Sequence, residues 1–265
     1  MSFSLLGLVN ALSPKAKGSR RLARDLAYGP SPRQRLDIYG PARGAGPFPL
    51  LVFVYGGSWA EGDRRDYAFA GRSLAALGYV VVVPDYRILP EIEYPAFLDD
   101  TAAVVKWAVD NALSHGADPA RVALVGHSAG AYNAVMVALD ATYGLGGLLR
   151  SVVGLSGPYD FFPFDVPVTV RTFGAVPDPL ATQPVNLVTA AAPPMFLGTG
   201  EADTLVYPRN TVALTKKLRE ANVAVEEKHY PDFGHPAPLL ELGSLLGGKS
   251  SLRADVAAFL ARTLA

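Results

Sequence analysis

No cysteine occurs anywhere in the 265 residues. Disulfides, thiolate metal sites and a cysteine nucleophile are therefore excluded, while the redox compartment stays open. Net charge is missing as well, because 24 basic and 24 acidic side chains cancel at pH 7. A nucleic-acid binder would carry a basic face or stripe. The densest basic stretch here, residues 15–24, is short and broken by Gly18 and Leu22, and it reads as a solvated face. Long apolar runs are scarce too. The apolar stretch at residues 1–13 is shorter than the ~20 residues a bilayer-spanning helix needs. It also lacks the positive flank and small-residue cleavage site of a secretory leader. It reads as an amphipathic helix over 3–12, within a helical extension over 1–27, with Leu5, Leu8 and Leu12 available to edge a site mouth. The expected location is cytoplasmic.

What is present is apolar bulk: half of the residues are hydrophobic, enough for one large core and one domain over 1–265. Short β-rich runs at 35–39, 50–55, 79–83, 121–125, 151–155, 195–197 and 224–230 read as strands. Helical patterns lie at 67–77, 96–113, 129–139, 208–220 and 251–264. Strands alternating with helices predict an α/β fold with a mostly parallel central sheet and helices on both faces. Residues 157–194 break the rhythm with eight prolines and several aromatics. The segment is too apolar for a linker, and a connection this long reads as a lid-like insertion.

Gly126-His127-Ser128-Ala129-Gly130 is the sharpest local signal. A serine between small residues, after a buried-strand run and before a helix, is a strained strand–turn–helix elbow that presents its hydroxyl. The helix start supplies the N–H of Ala129 to a developing oxyanion. Gly56 and Gly57, followed by Ser58 at the end of an earlier strand, form a second segment whose N–H groups can approach a substrate oxygen without side chains in the way. Which of the three point inward is left open.

Histidine is sparse, with four in the chain, so each can be placed. His127 lies inside the elbow with its ring expected to point away from Ser128, His115 reads as a helix-end capping residue, and His229 sits in an alternating strand. His235 stands in a loop just past the last strand, where a general base can reach back over the sheet. The acid that orients it should follow the preceding strand; Asp203 fits best, with Glu201 and Asp232 as alternatives. Pocket walls are expected from Trp59, Tyr159, Phe161, Phe162, Tyr207 and Phe233.

With these residues placed, the chain resembles the carboxylesterase branch of the α/β-hydrolases, near hormone-sensitive-lipase-like and feruloyl-esterase-like families and also near the kynurenine formamidases. The resemblance rests on Tyr55-Gly56-Gly57-Ser58-Trp59, on the Asp85-Tyr86-Arg87 segment, on the elbow, and on Asp203 and His235. Tyr55 and Ser58 depart from the histidine and third glycine of the family's oxyanion loop. The resemblance implies an α/β-hydrolase fold with a reduced cap and a Ser128–His235–Asp203 triad acting without a metal or organic cofactor. Gly56, Gly57, Ser58 and Ala129 would form the oxyanion hole, and Asp85 and Arg87 would brace the loops. It implies hydrolysis of small carboxylic esters, with formamide cleavage or non-catalytic binding as alternatives. Expected partners are a small-molecule ester and no nucleic acid; a homodimer stays open.

Overall fold

The computed structural model describes Asn10, residues 16–243 and residues 248–265. Apart from Asn10, the expected helix over 3–12, with Leu5, Leu8 and Leu12, lies outside the described residues.

Six strands are parallel neighbours: β3 (Phe48–Val54), β4 (Val80–Pro84), β5 (Ala117–His127), β6 (Leu149–Leu155), β7 (Met195–Gly200) and β8 (Val225–Tyr230). Two antiparallel strands, β1 (Ser19–Ala27) and β2 (Arg35–Pro41), complete the sheet in the order β1-β2-β4-β3-β5-β6-β7-β8. Every residue of β4 is buried, as are five of the seven residues of β3 and six of the seven of β6. Strands buried at successive positions need cover on both faces, and parallel crossovers provide it. Helices α1 (Ala68–Ala75), α6 (Ala237–Leu242) and α7 (Leu252–Thr263) make one contacting set, and α2 (Ala96–Asp110) and α3 (Ala129–Leu139) another.

Helix α3 is apolar all round, with ten of its eleven residues buried, as expected of a helix sunk in a core. In contrast, α5 (Arg209–Glu220) is amphipathic: Asn210, Leu214 and Leu218 face inward at a four-residue spacing, while Lys217, Arg219 and Glu220 stay outside. The remaining helix, α4 (Pro167–Phe173), lies inside the Pro-rich segment.

The helical extension expected over 1–27 needs correction, because its last nine residues are β1. The basic residues Arg20, Arg21 and Arg24 are exposed there, so the solvated face is the outer side of an edge strand. Charged side chains at a sheet edge discourage pairing with another chain. They also erase the apolar alternation by which a strand is read.

The segment over 157–194 is tied down rather than loose. Phe173 is fully buried against Trp59, with ring centroids 5.0 Å apart and nearly perpendicular, and also meets Phe97. Burying one such ring contributes roughly 1.5–3 kcal/mol. Tyr132 in α3 donates to the Thr182 carbonyl at 2.8 Å, and Gln183 accepts from Phe161 N. Among the described residues no helix is long and apolar enough to cross a membrane.

Candidate active site

The three chemistry-bearing residues sit where strands of an open α/β sheet end, at their carboxyl termini. Ser128 follows β5 directly, with φ 55° and ψ −127°, a sparsely populated conformation that costs of order 1–3 kcal/mol. Its N–H donates to Leu155 O at 2.9 Å, and its carbonyl accepts from Ala131 N and Tyr132 N. The flanking glycines are demanded by close approach. A Cβ on Gly126 would lie 2.4 Å from Gly130 O, and one on Gly130 would lie 2.1 Å from Val54 O.

His235 Nε2 lies 2.9 Å from Ser128 Oγ, and its Nδ1 lies 2.8 Å from Asp203 Oδ2. Asp203 is buried, and its Oδ1 accepts from Leu205 N and Val206 N at 3.0 and 2.9 Å. Burial pushes its carboxyl up, but the His235 hydrogen bond and the Val206 and Leu205 N–H groups outweigh that and hold it below the ordinary value. The loops carrying Asp203 and His235 are laced together: Ala202 N donates to Phe233 O and Glu201 N to Tyr230 O, both at 3.1 Å. Of the alternatives for the acid, Glu201 turns its carboxylate to His229, and the Nδ1 position of His235 belongs to Asp203.

His127 has a partner that the sequence does not reveal. Its ring does not merely point aside; Nε2 lies 3.0 Å from the His235 carbonyl, to which it donates, and the two rings are 5.1 Å apart. Burial, reinforced by the nearby imidazole of His235, lowers its pKa to about 3, so it stays neutral and ties the His235 loop to the elbow. Only the folded chain brings residues 127 and 235 together. His115 ends a short 3₁₀ turn before Gly116, which takes φ 73°.

His229 bridges Glu201 and Glu227, and Glu227 also pairs with Arg219. Burial pulls His229 down, yet the bonds and charges of Glu227 and Glu201 hold it above its ordinary value. A raised folded pKa means this stabilisation is full below the unfolded value of about 6.5 and is lost as pH rises through the folded value. The melting temperature of wild type is therefore expected to fall between pH 6 and pH 8.5 by about 1–3 °C more than that of His229→Gln. Differential scanning fluorimetry across that range checks it, and parallel curves would refute it.

A cavity of about 590 Å³ opens onto Ser128 and Ala129, with Ser58, Trp59, Phe161 and Tyr207 in its wall. Of the expected wall residues, Trp59, Phe161 and Tyr207 therefore line it. Tyr159 is instead fully buried, with its ring packed against Gly154 and Gly157. Phe162 is exposed, and Phe233 is buried against Tyr230. Tertiary placement decides this, since an aromatic in an apolar chain has several equally dry destinations. Val166, Pro167 and Val168 of the Pro-rich segment also line the cavity, as does Asn210, which accepts from Tyr159 N and Asp160 N. Sequence reading missed these, and no local pattern marks them.

Of the oxyanion candidates, Ser58 and Ala129 line the cavity. Gly56 packs against the serine: a Cβ there would meet Ser128 Cβ at 2.8 Å. Gly57 has φ 140°, and Ser58 and Trp59 take φ 51° and 55°. Tyr55, in the family's histidine position, donates to Asp85 Oδ1 at 2.8 Å and accepts from Arg33 at 3.1 Å. Asp85 also receives Arg64 N at 2.6 Å and its guanidinium, whereas Arg87 pairs with Asp100 at 2.8 Å. Among the described residues no group of three or more His, Cys, Asp or Glu side chains is arranged to hold a metal ion.

This is the fold of an α/β-hydrolase. Residues 36–167 match the family described as BD-FAE. Carboxylesterase NlhH of Mycobacterium tuberculosis is 32% identical over 223 residues, covering 75% of this chain and 69% of that protein. The chain belongs to this carboxylesterase family of α/β-hydrolases. A probable isoprenylcysteine alpha-carbonyl methylesterase of Oryza sativa subsp. japonica is 35% identical over 152 residues, 54% of this chain and 36% of that protein. The chain thus spans 36% to 60% of the length of the first curated relatives it matches. Among solved structures, esterase B of Lactobacillus rhamnosis, inhibited by a tributyrin phosphonate, shares the fold with TM-score 0.84 at 20% identity, over 97% of this chain and 90% of that one.

Proposed function

We propose that this chain is a serine carboxylesterase that hydrolyses short-chain carboxylic esters through an acyl-enzyme. The observation that carries the reading is the continuous line from Asp203 Oδ2 through His235 to Ser128 Oγ, at 2.8 and 2.9 Å, beside a cavity. In this reading Ser128 attacks the ester carbonyl while His235 takes its proton. The Ala129 N–H and the N–H groups of the Gly56–Ser58 segment hold the tetrahedral oxyanion. His235 then protonates the leaving alcohol, and a water activated by the same imidazole releases the acid. Asp203 fixes the tautomer and stabilises the imidazolium. The names of the relatives support ester substrates, and the apolar wall of Trp59, Phe161 and Val168 supports an uncharged acyl group.

The test is hydrolysis of a p-nitrophenyl ester series, acetate through decanoate. Turnover peaking at acetate or butyrate is the expected result. No turnover at any chain length, in protein shown to be folded, would overturn the reading; rapid cleavage of an N-formyl aromatic amide in its place would make the chain a formamidase. Cytoplasmic residence and a single functional domain over 1–265 belong to the same proposal, and fractionation of the source cells decides the first.

A further inference from the structure

The oxyanion segment carries a set of hydrogen bonds that the triad does not use. The Tyr55 carbonyl accepts from the Tyr86 hydroxyl at 3.0 Å, and the Gly56 carbonyl accepts from the Tyr67 hydroxyl at 3.1 Å. The Gly57 carbonyl accepts from Ala60 N and Glu61 N, each at 3.0 Å. Three consecutive peptide planes are thus each held by the carbonyl. In a trans peptide the N–H points opposite to the C=O of the same plane. Fixing these three carbonyls therefore fixes the N–H directions of Gly56, Gly57 and Ser58, the residues nominated to hold the oxyanion.

We infer that the Tyr67 and Tyr86 hydroxyls are positioning residues of the oxyanion hole, locking the Gly56–Gly57 and Tyr55–Gly56 peptides in the orientation that presents their N–H groups to the substrate oxygen. The inference deepens the esterase reading and rests on it for its kinetic consequences. The two phenols are well placed for the task. Both flank Tyr55 in a stack, with ring centroids 4.7 Å (Tyr67) and 5.0 Å (Tyr86) from it, and all three rings are buried. Burial holds both hydroxyls above the ordinary tyrosine range, so each stays a donor. The middle ring is pinned in turn by Asp85 and Arg33. A glycine pair is otherwise free to rotate its peptide plane, and a hole built on Gly56 and Gly57 needs an external clamp to be preorganised. Tyr55 cannot clamp the Gly56 carbonyl itself, because its hydroxyl is committed to Asp85.

Tyr67→Phe and Tyr86→Phe remove one hydroxyl each and keep the stack. For Tyr67→Phe the expected result on p-nitrophenyl butyrate is a fall in kcat of about tenfold, with KM changed less than twofold. Affinity for a trifluoromethyl ketone, which adds to Ser128 and forms an oxyanion, should fall by the same factor. Amide hydrogen exchange at Gly56, Gly57 and Ser58 reads the same clamp without any substrate and should speed up in the variant. A purely structural role would lower the melting temperature while leaving kcat per folded molecule, inhibitor affinity and exchange at these three amides unchanged, and that result overturns the inference. Tyr86→Phe provides the same readouts should Tyr67→Phe fail to fold. If wild type hydrolyses no ester, the esterase reading falls, while the exchange comparison still judges the clamp.

Discussion

Ser128→Ala is expected to lower kcat/KM on p-nitrophenyl butyrate by at least about 10⁴-fold, with a melting temperature close to that of wild type. The size of the loss follows from the line of contacts. Ser128 Oγ is the atom 2.9 Å from His235 Nε2, and without it no acyl-enzyme can form. The oxyanion donors and the cavity remain, so a small residual rate above water is expected from them. The fold should be unaffected, since alanine keeps the Cβ that the φ 55° backbone already tolerates, and the backbone bonds to Leu155, Ala131 and Tyr132 do not involve the hydroxyl. Initial rates at matched folded concentration decide the matter. Retention of more than a tenth of wild-type activity would remove Ser128 from the mechanism.

Asp203→Asn should cost roughly 10⁴-fold in kcat, through the tautomer of His235 rather than through the fold. The two carboxylate oxygens have separate duties. Oδ1 accepts from Leu205 N and Val206 N, and Oδ2 faces His235 Nδ1. An asparagine keeps the loop bonds with its carbonyl oxygen and presents its NH₂ to Nδ1. That nitrogen must then be an acceptor, which moves the imidazole proton to Nε2, where it faces Ser128 Oγ and cannot accept the serine proton. Glu201→Gln, on the same turn, is expected to change kcat less than about threefold, because that carboxylate serves His229. Kinetics of the two variants at one pH separate the two carboxylates. Equal losses, or a greater loss at Glu201, would reassign the acid.

The elbow was legible because its chemistry is local: strand, strained serine and helix occupy one continuous stretch, and the two glycines are forced by contacts under 3 Å. The positions of Asp203 and His235 were legible for a topological reason, since a parallel sheet delivers its strand ends to one edge. Less was legible wherever the partner is far along the chain. β1 was hidden because an edge strand with exposed arginines lacks the apolar alternation that betrays a buried one. The bond from His127 to the His235 carbonyl spans 108 residues, and that from Tyr86 to the Tyr55 carbonyl spans 31.

By itself the sequence determined the alternation of strands and helices, the strained elbow at Ser128, and a sheet whose inner strands are buried on both faces. These depend on periodicity, on side-chain chemistry and on backbone conformations that a residue and its neighbours settle between them. Only the tertiary structure decided which aromatics wall the cavity, that Glu201 turns to His229 and leaves His235 to Asp203, and that the hydroxyls of Tyr67 and Tyr86 hold the Gly56 and Tyr55 carbonyls. Those outcomes depend on which surfaces meet when the sheet closes over its helices. Burial energy is nearly indifferent to which aromatic fills a given dry space, whereas hydrogen bonds between distant residues exist only after packing has set their distance and angle.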